Sequence, residues 1–100
     1  MIRGTTPTIT LVLPEDVDVS GASSAYLSFG QLGEEVFSIP LARLTLDDNT
    51  ASATLSQTET LQLTANQQTA IQLRWVDSGV AYATRIVKVD TDAIIKEGAI

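Results

Sequence analysis

The chain reads as an all-β protein, an immunoglobulin-like antiparallel β-sandwich with one short helix. Three observations predict it. Apolar residues recur with a period of two in several short runs: Ile9, Leu11 and Leu13, then Leu27 and Phe29, then Ile71, Leu73 and Trp75. Turn residues punctuate those runs at short intervals, as in Gly33, Asp47-Asp48-Asn49 and Asp77-Ser78-Gly79. Only one segment, beginning at Ser56, carries a helix signature. A small barrel is the alternative arrangement of the same strands.

The first strand spans Thr8 to Leu13 between Pro7 and Pro14, with Ile9, Leu11 and Leu13 on one face. Glu15 to Ser24 follows as a loop, acidic and then small. The second strand, Ala25 to Gln31, turns the core residues Leu27 and Phe29 one way and Tyr26 toward the surface. Gln31-Leu32-Gly33-Glu34 makes a hairpin turn into the third strand, Glu35 to Ile39, which Pro40 ends. Arg43 to Leu46 and Ala51 to Leu55 form a second hairpin, with Leu44 and Leu46 alternating on one strand and Ala51, Ala53 and Leu55 on the other.

Ser56-Gln57-Thr58-Glu59 is a capping box, because the Ser hydroxyl and the Glu carboxylate each accept from the other's backbone N–H. It opens a helix from Gln57 to Leu63 that bridges two sheets. Gln68 to Val89 is then a long hairpin. Its outgoing strand carries Ile71, Leu73 and Trp75, and its return strand buries one face among Ala81, Ala83, Ile86, Val87 and Val89. The segment Asp90 to Ile100 holds Ile94, Ile95, Ala99 and Ile100 and reads as a last strand, a turn or an arm. An apolar chain end implies docking, on this domain or on another.

The 100 residues suit a single domain, residues 1–100, able to bury one core. Twelve acidic and six basic residues give a formal charge of -6, and the basic residues do not cluster. This balance argues against nucleic acid and anionic membranes as partners. Histidine and cysteine are absent, which removes the commonest general base, the thiolate nucleophile and the zinc-thiolate site. Gly21-Ala22-Ser23-Ser24-Ala25 has no histidine to activate a serine, and Gly30 and Gly33 lie at a hairpin with no Gly-Lys-Thr after them. The expectation is a non-enzymatic protein with no cofactor and no metal. Glu15, Asp16 and Asp18 form an acidic loop with hard oxygens that suit calcium, but without EF-hand spacing; Asp47-Asp48-Asn49 has the same oxygens, better explained by its hairpin, and Asp90 and Asp92 match part of a calcium loop. The start, Met1-Ile2-Arg3-Gly4, lacks a signal-peptide pattern, which predicts synthesis in the cytoplasm without signal-directed secretion.

Arg74 and Arg85 fall on adjacent strands of the long hairpin. They are read either as a partner-binding pair or as residues paired across the strands with Gln72 or an acid. Together with Ile94, Ile95 and Ile100 they are the candidate partner contacts, and an exposed strand edge is a further one. Tyr26, Tyr82 and Trp75 are the aromatics that a carbohydrate-binding surface would use.

Motifs across the chain carry a resemblance. Met1-Ile2-Arg3-Gly4-Thr5-Thr6-Pro7-Thr8 with the strand Ile9 to Pro14 resembles the opening of short prophage proteins of Gram-positive bacteria, which accompany siphophage tail and baseplate components. Leu55-Ser56-Gln57-Thr58-Glu59-Thr60-Leu61, Ile71-Gln72-Leu73-Arg74-Trp75, Ala83-Thr84-Arg85-Ile86-Val87 and Ile95-Lys96-Glu97-Gly98-Ala99-Ile100 resemble their later parts. A related pattern occurs in the N-terminal immunoglobulin-like domain of baseplate upper proteins. The resemblance implies a sandwich that joins or decorates a phage tail, virion-associated, with tail proteins or further copies of itself as partners and no catalytic residues. The rival readings are a carbohydrate- or cell-surface-binding module and a tail assembly factor outside the virion.

Overall fold

A computed structural model describes residues 1–100. The elements in chain order are β1 (Thr8–Val12), β2 (Ser24–Gln31), β3 (Glu34–Pro40), a 3-10 turn (Leu41–Arg43), β4 (Thr45–Asp47), β5 (Thr50–Thr54), α1 (Gln57–Leu61), β6 (Gln67–Asp77), β7 (Val80–Ala83) and β8 (Val87–Thr91). They form two antiparallel sheets. The narrow sheet runs β1-β5-β4. The wide sheet runs β3-β2-β6, with β7 and β8 placed end to end along the far side of β6. No helix is long and apolar enough to cross a membrane.

The alternation read from the sequence sets the core. Leu27, Phe29, Ile39, Ile71, Leu73 and Trp75 from the wide sheet meet Ala51, Ala53 and Leu55 from the narrow one. The Phe29 and Phe37 rings stack with centroids 4.7 Å apart. Leu32 and Gly33 both take positive φ, the geometry that lets a two-residue turn follow the twist of its strands. A bulge between Phe29 and Gly30 brings the returning chain close. A Cβ on Gly30 would lie 2.7 Å from the Glu34 carbonyl oxygen, so this position needs glycine.

The capping box forms as expected: the Glu59 N–H donates to Ser56 Oγ at 3.1 Å and the Ser56 N–H to Glu59 Oε1 at 2.8 Å. The helix is shorter than expected and ends at Leu61; Arg3 donates to the carbonyl of Leu61 there and to that of Leu63 just beyond, satisfying groups the helix leaves open. Arg43 lies in the 3-10 turn, not in a strand. There it donates to Glu59 at 2.6 and 2.8 Å and to the Thr54 carbonyl at 3.2 Å, tying the end of β3 to α1. Glu59, largely buried, is held down at about 2 by hydrogen bonds from Arg43, against the opposing effect of burial.

The long hairpin departs from expectation in its return strand, which is broken rather than continuous. Arg74 lies opposite Ala83, and Ile71 opposite Val87, so three residues of the return (Thr84, Arg85, Ile86) face two of β6. Thr84 holds this bulge. Its N–H donates to the Leu73 carbonyl, its Oγ1 accepts from the Leu73 N–H, and its carbonyl accepts from Gln72 Nε2. The expected buried face of Ala81, Ala83, Ile86 and Val87 is also absent, since all four are exposed. Ala81 and Ala83 lie opposite the outward residues Val76 and Arg74, Ile86 sits in the bulge on the outer face beside Gly30, Ala70 and Gln72, and Val87 lines a groove that the narrow sheet leaves open.

Candidate functional site

Two flanks of the sandwich are built differently. On one, β4 and the 3-10 turn close over β2 and β3, with Leu41, Leu44 and Leu46 packed on the core. On the other, β1 stops short of the edge made by β7 and β8. A groove of about 360 Å³ opens there, lined by Leu11, Leu13, Pro14 and Val17 on one side and Trp75 and Val87 on the other. Tyr82 lies opposite Trp75, and Val87 opposite Ile71, so both share the core-facing side of the wide sheet. They are nevertheless 46% and 42% exposed. Tyr82 lies over Trp75, with ring centroids 5.3 Å apart. Trp75 itself is buried, at 7%.

Arg74 and Arg85 do not come together. Arg85 belongs to the bulge and not to a strand, and it lines the groove beside β1. Arg74 stands on the outer face of the wide sheet, directly opposite Tyr26. It borders a separate shallow groove of about 410 Å³ floored by Ser24, Ser28 and Ser38. Arg74 makes neither the acid pair nor the bond to Gln72 that the sequence offered; the Gln72 amide serves Thr84 instead, and the two ion pairs of the chain are Arg3–Glu97 and Arg43–Glu59.

The C-terminal segment is an arm laid along the N-terminal residues and α1. Asp92 exchanges backbone bonds with Met1 and Arg3, Arg3 pairs with Glu97 at 3.0 Å, and the Ile100 N–H donates to Gln57 Oε1 at 2.9 Å. Ile94 turns inward and closes on Gly4, where an added Cβ would sit 3.0 Å from Ile94 Cδ1. Ile95 and Ile100 point away and are almost wholly exposed. The three isoleucines therefore divide, one anchoring the arm and two facing outward.

In the acidic loop, Asp18 accepts from the hydroxyl and the N–H of Ser20 at 2.6 and 2.9 Å, which holds its carboxyl below the ordinary range. Those bonds shape a bend that delivers Val19, fully buried, to the core. The sequence reading passed over Val19 because a lone valine in an acidic loop has no periodicity. It also missed the uncovered side of Tyr82 and Val87, since alternation says which face a residue takes but not whether a second sheet lies above it.

No family model, curated protein or solved structure matches the chain.

Proposed function

We propose that the chain is a non-enzymatic structural protein of a prophage tail or baseplate that acts through protein–protein contacts. The observation that carries this reading is the presence of two separate apolar surfaces that the fold leaves open. One is the flank between β1 and β7–β8, with Val87 facing it. The other is the outward side of the arm, with Ile95 and Ile100. The arm lies by α1, near the Thr8 end of β1, whereas the groove lies toward its Val12 end. Two separated contact surfaces suit a component joined to different neighbours, and in a symmetric tail each weak contact is repeated around the ring. The resemblance of the motifs to prophage tail-module proteins supplies the kind of assembly.

The test is to induce the prophage, purify particles and quantify this chain by mass spectrometry against a deletion strain. The reading predicts the chain in particles at a stoichiometry set by tail symmetry. Abundance in the lysate with absence from particles would reject it in favour of an assembly factor.

The groove on the outer face favours a second reading, a carbohydrate-binding module. Tyr26 stands half-exposed there among Ser24, Ser28, Ser38 and the unpaired Arg74, an aromatic face beside hydroxyls and a free donor. Tyr82, 46% exposed, lines the same groove, so Tyr26 and Tyr82 are the residues to remove. A glycan-array signal lost in Tyr26→Ala would move this reading to the front.

A further inference from the structure

The open flank has the dimensions of one missing strand. The wide sheet has four strand positions (β3, β2, β6 and the β7–β8 edge), and the narrow sheet covers them with three. In an immunoglobulin-like sandwich one sheet runs A-B-E-D over the C-F-G sheet. Here β1, β5 and β4 take the places of B, E and D, while β3, β2, β6 and β7–β8 take C′, C, F and G. The place of A, next to β1 and above β7–β8, is vacant. Residues 1–6 do not fill it: Ile2 bridges to Asp92 and the Arg3 N–H donates to the Asp92 carbonyl, which draws them to the end of β8.

The backbone beside the vacancy is available. The Leu13 N–H donates to Asn49 at 2.7 Å and the Leu55 N–H to Pro7 at 2.9 Å. Hydrogen-bonded positions alternate along an antiparallel pair, so Ile9 and Leu11 face β5, and Thr8, Thr10 and Val12 turn their N–H and C=O groups outward. Of the sheet edges, β1 alone has no charge, proline or break to discourage pairing. In contrast, β3 begins with Glu34 and Glu35 and ends at Pro40, β4 is three residues long, and β7 and β8 are split by the bulge.

We propose that the β1 edge accepts a single extended segment of a partner protein, with apolar residues at alternate positions. Its backbone pairs with Thr8, Thr10 and Val12, and its inward side chains cover Val87 and the exposed rim of the groove. One vacancy takes one strand. A second copy joined β1 to β1 fits poorly, because the two-fold axis of that pairing puts both wide sheets on the same side, each extending into the space of the other. This deepens the interaction reading above and rests on it only for the existence of a protein partner.

The test is selection of a random peptide display library on the purified chain, followed by binding of the enriched peptides as synthetic probes. The expected winners alternate apolar residues. Their affinity falls roughly tenfold or more in Thr10→Pro, which removes one outward N–H while sparing the bonds to β5, and in Val87→Glu, which places a charge in the groove. Both variants stay folded by circular dichroism, and Lys88→Ala, exposed and outside the groove, binds as the parent does. No enrichment, winners without alternation, or unchanged binding to Val87→Glu would overturn the proposal. A dimer in sedimentation that Thr10→Pro abolishes would replace the partner segment with a second copy. Absence of the chain from phage particles rejects the tail reading and leaves this experiment intact.

Discussion

The two flanks of the sandwich differ in what their alternating strands are allowed to bury. Along β2 the inward residues Leu27 and Phe29 are fully buried, because β3 continues the sheet and β4 with the 3-10 turn closes above. Along the β7–β8 edge the inward residues Tyr82 and Val87 keep nearly half their surface in water, because no strand lies above them. Local patterning assigns a side chain to a face. Burial then depends on how many strands the opposing sheet supplies, which is a property of the whole topology.

That contrast can be broken with paired truncations. Phe29→Ala removes a fully buried ring stacked on Phe37 and should cost about 3–5 kcal/mol in denaturant unfolding. Val87→Ala, on the open flank, should cost about 0.5 kcal/mol. Similar losses from the two would mean that the open flank is covered in the free protein.

A smaller effect sharpens the closed flank. Glu59→Gln retains a capping partner for Ser56 but loses the carboxylate that Arg43 grips; with Arg43 nearly half exposed, this should cost about 1 kcal/mol at pH 7. The pH dependence follows from the direction of the shift. Glu59 sits at about 2 in the fold against an ordinary 4.5, so its contribution is full above about 4.5 and is lost as the pH falls toward 2. Parent and variant stabilities should therefore converge in acid.

A comparably small effect belongs to the arm. Deleting residues 93–100 removes an ion pair whose Glu97 side chain is mostly exposed, together with the bond from Ile100 to Gln57. Stability should fall by about 1 kcal/mol or less in thermal or denaturant unfolding. Global unfolding of the truncated chain would make the arm part of the core.

Much of the fold was legible in the residues. The alternation in Ile71, Leu73 and Trp75 placed the central strand, Tyr26 was assigned to the surface and Leu27 with Phe29 to the core, and Ser56 with Glu59 marked the start of the helix. What escaped depends on partners distant in sequence. Gln31 is buried because its side chain exchanges bonds with the Thr64 backbone, 33 residues on, which closes the end of β2 against the approach to β6. Thr69 and Thr91 are buried through a bond to each other. The bulge depends on Thr84 bonding at once to Leu73 and Gln72, which nothing in Ala83-Thr84-Arg85 announces. Of the candidate contacts, Ile95 and Ile100 are exposed, Ile94 is turned inward, and Arg74 and Arg85 border different grooves. The residues imply a free strand edge, but which strand offers it depends on the sheet order.

The central claim is that β1 is an unpaired edge in the free protein. Residue-resolved amide hydrogen exchange on the purified chain tests it most directly. Thr8, Thr10 and Val12 should exchange about a hundredfold faster than Ile9 and Leu11, because only the latter donate to β5. Equal, strong protection at all five amides would mean that the edge is already covered, and the account of the open flank would fail.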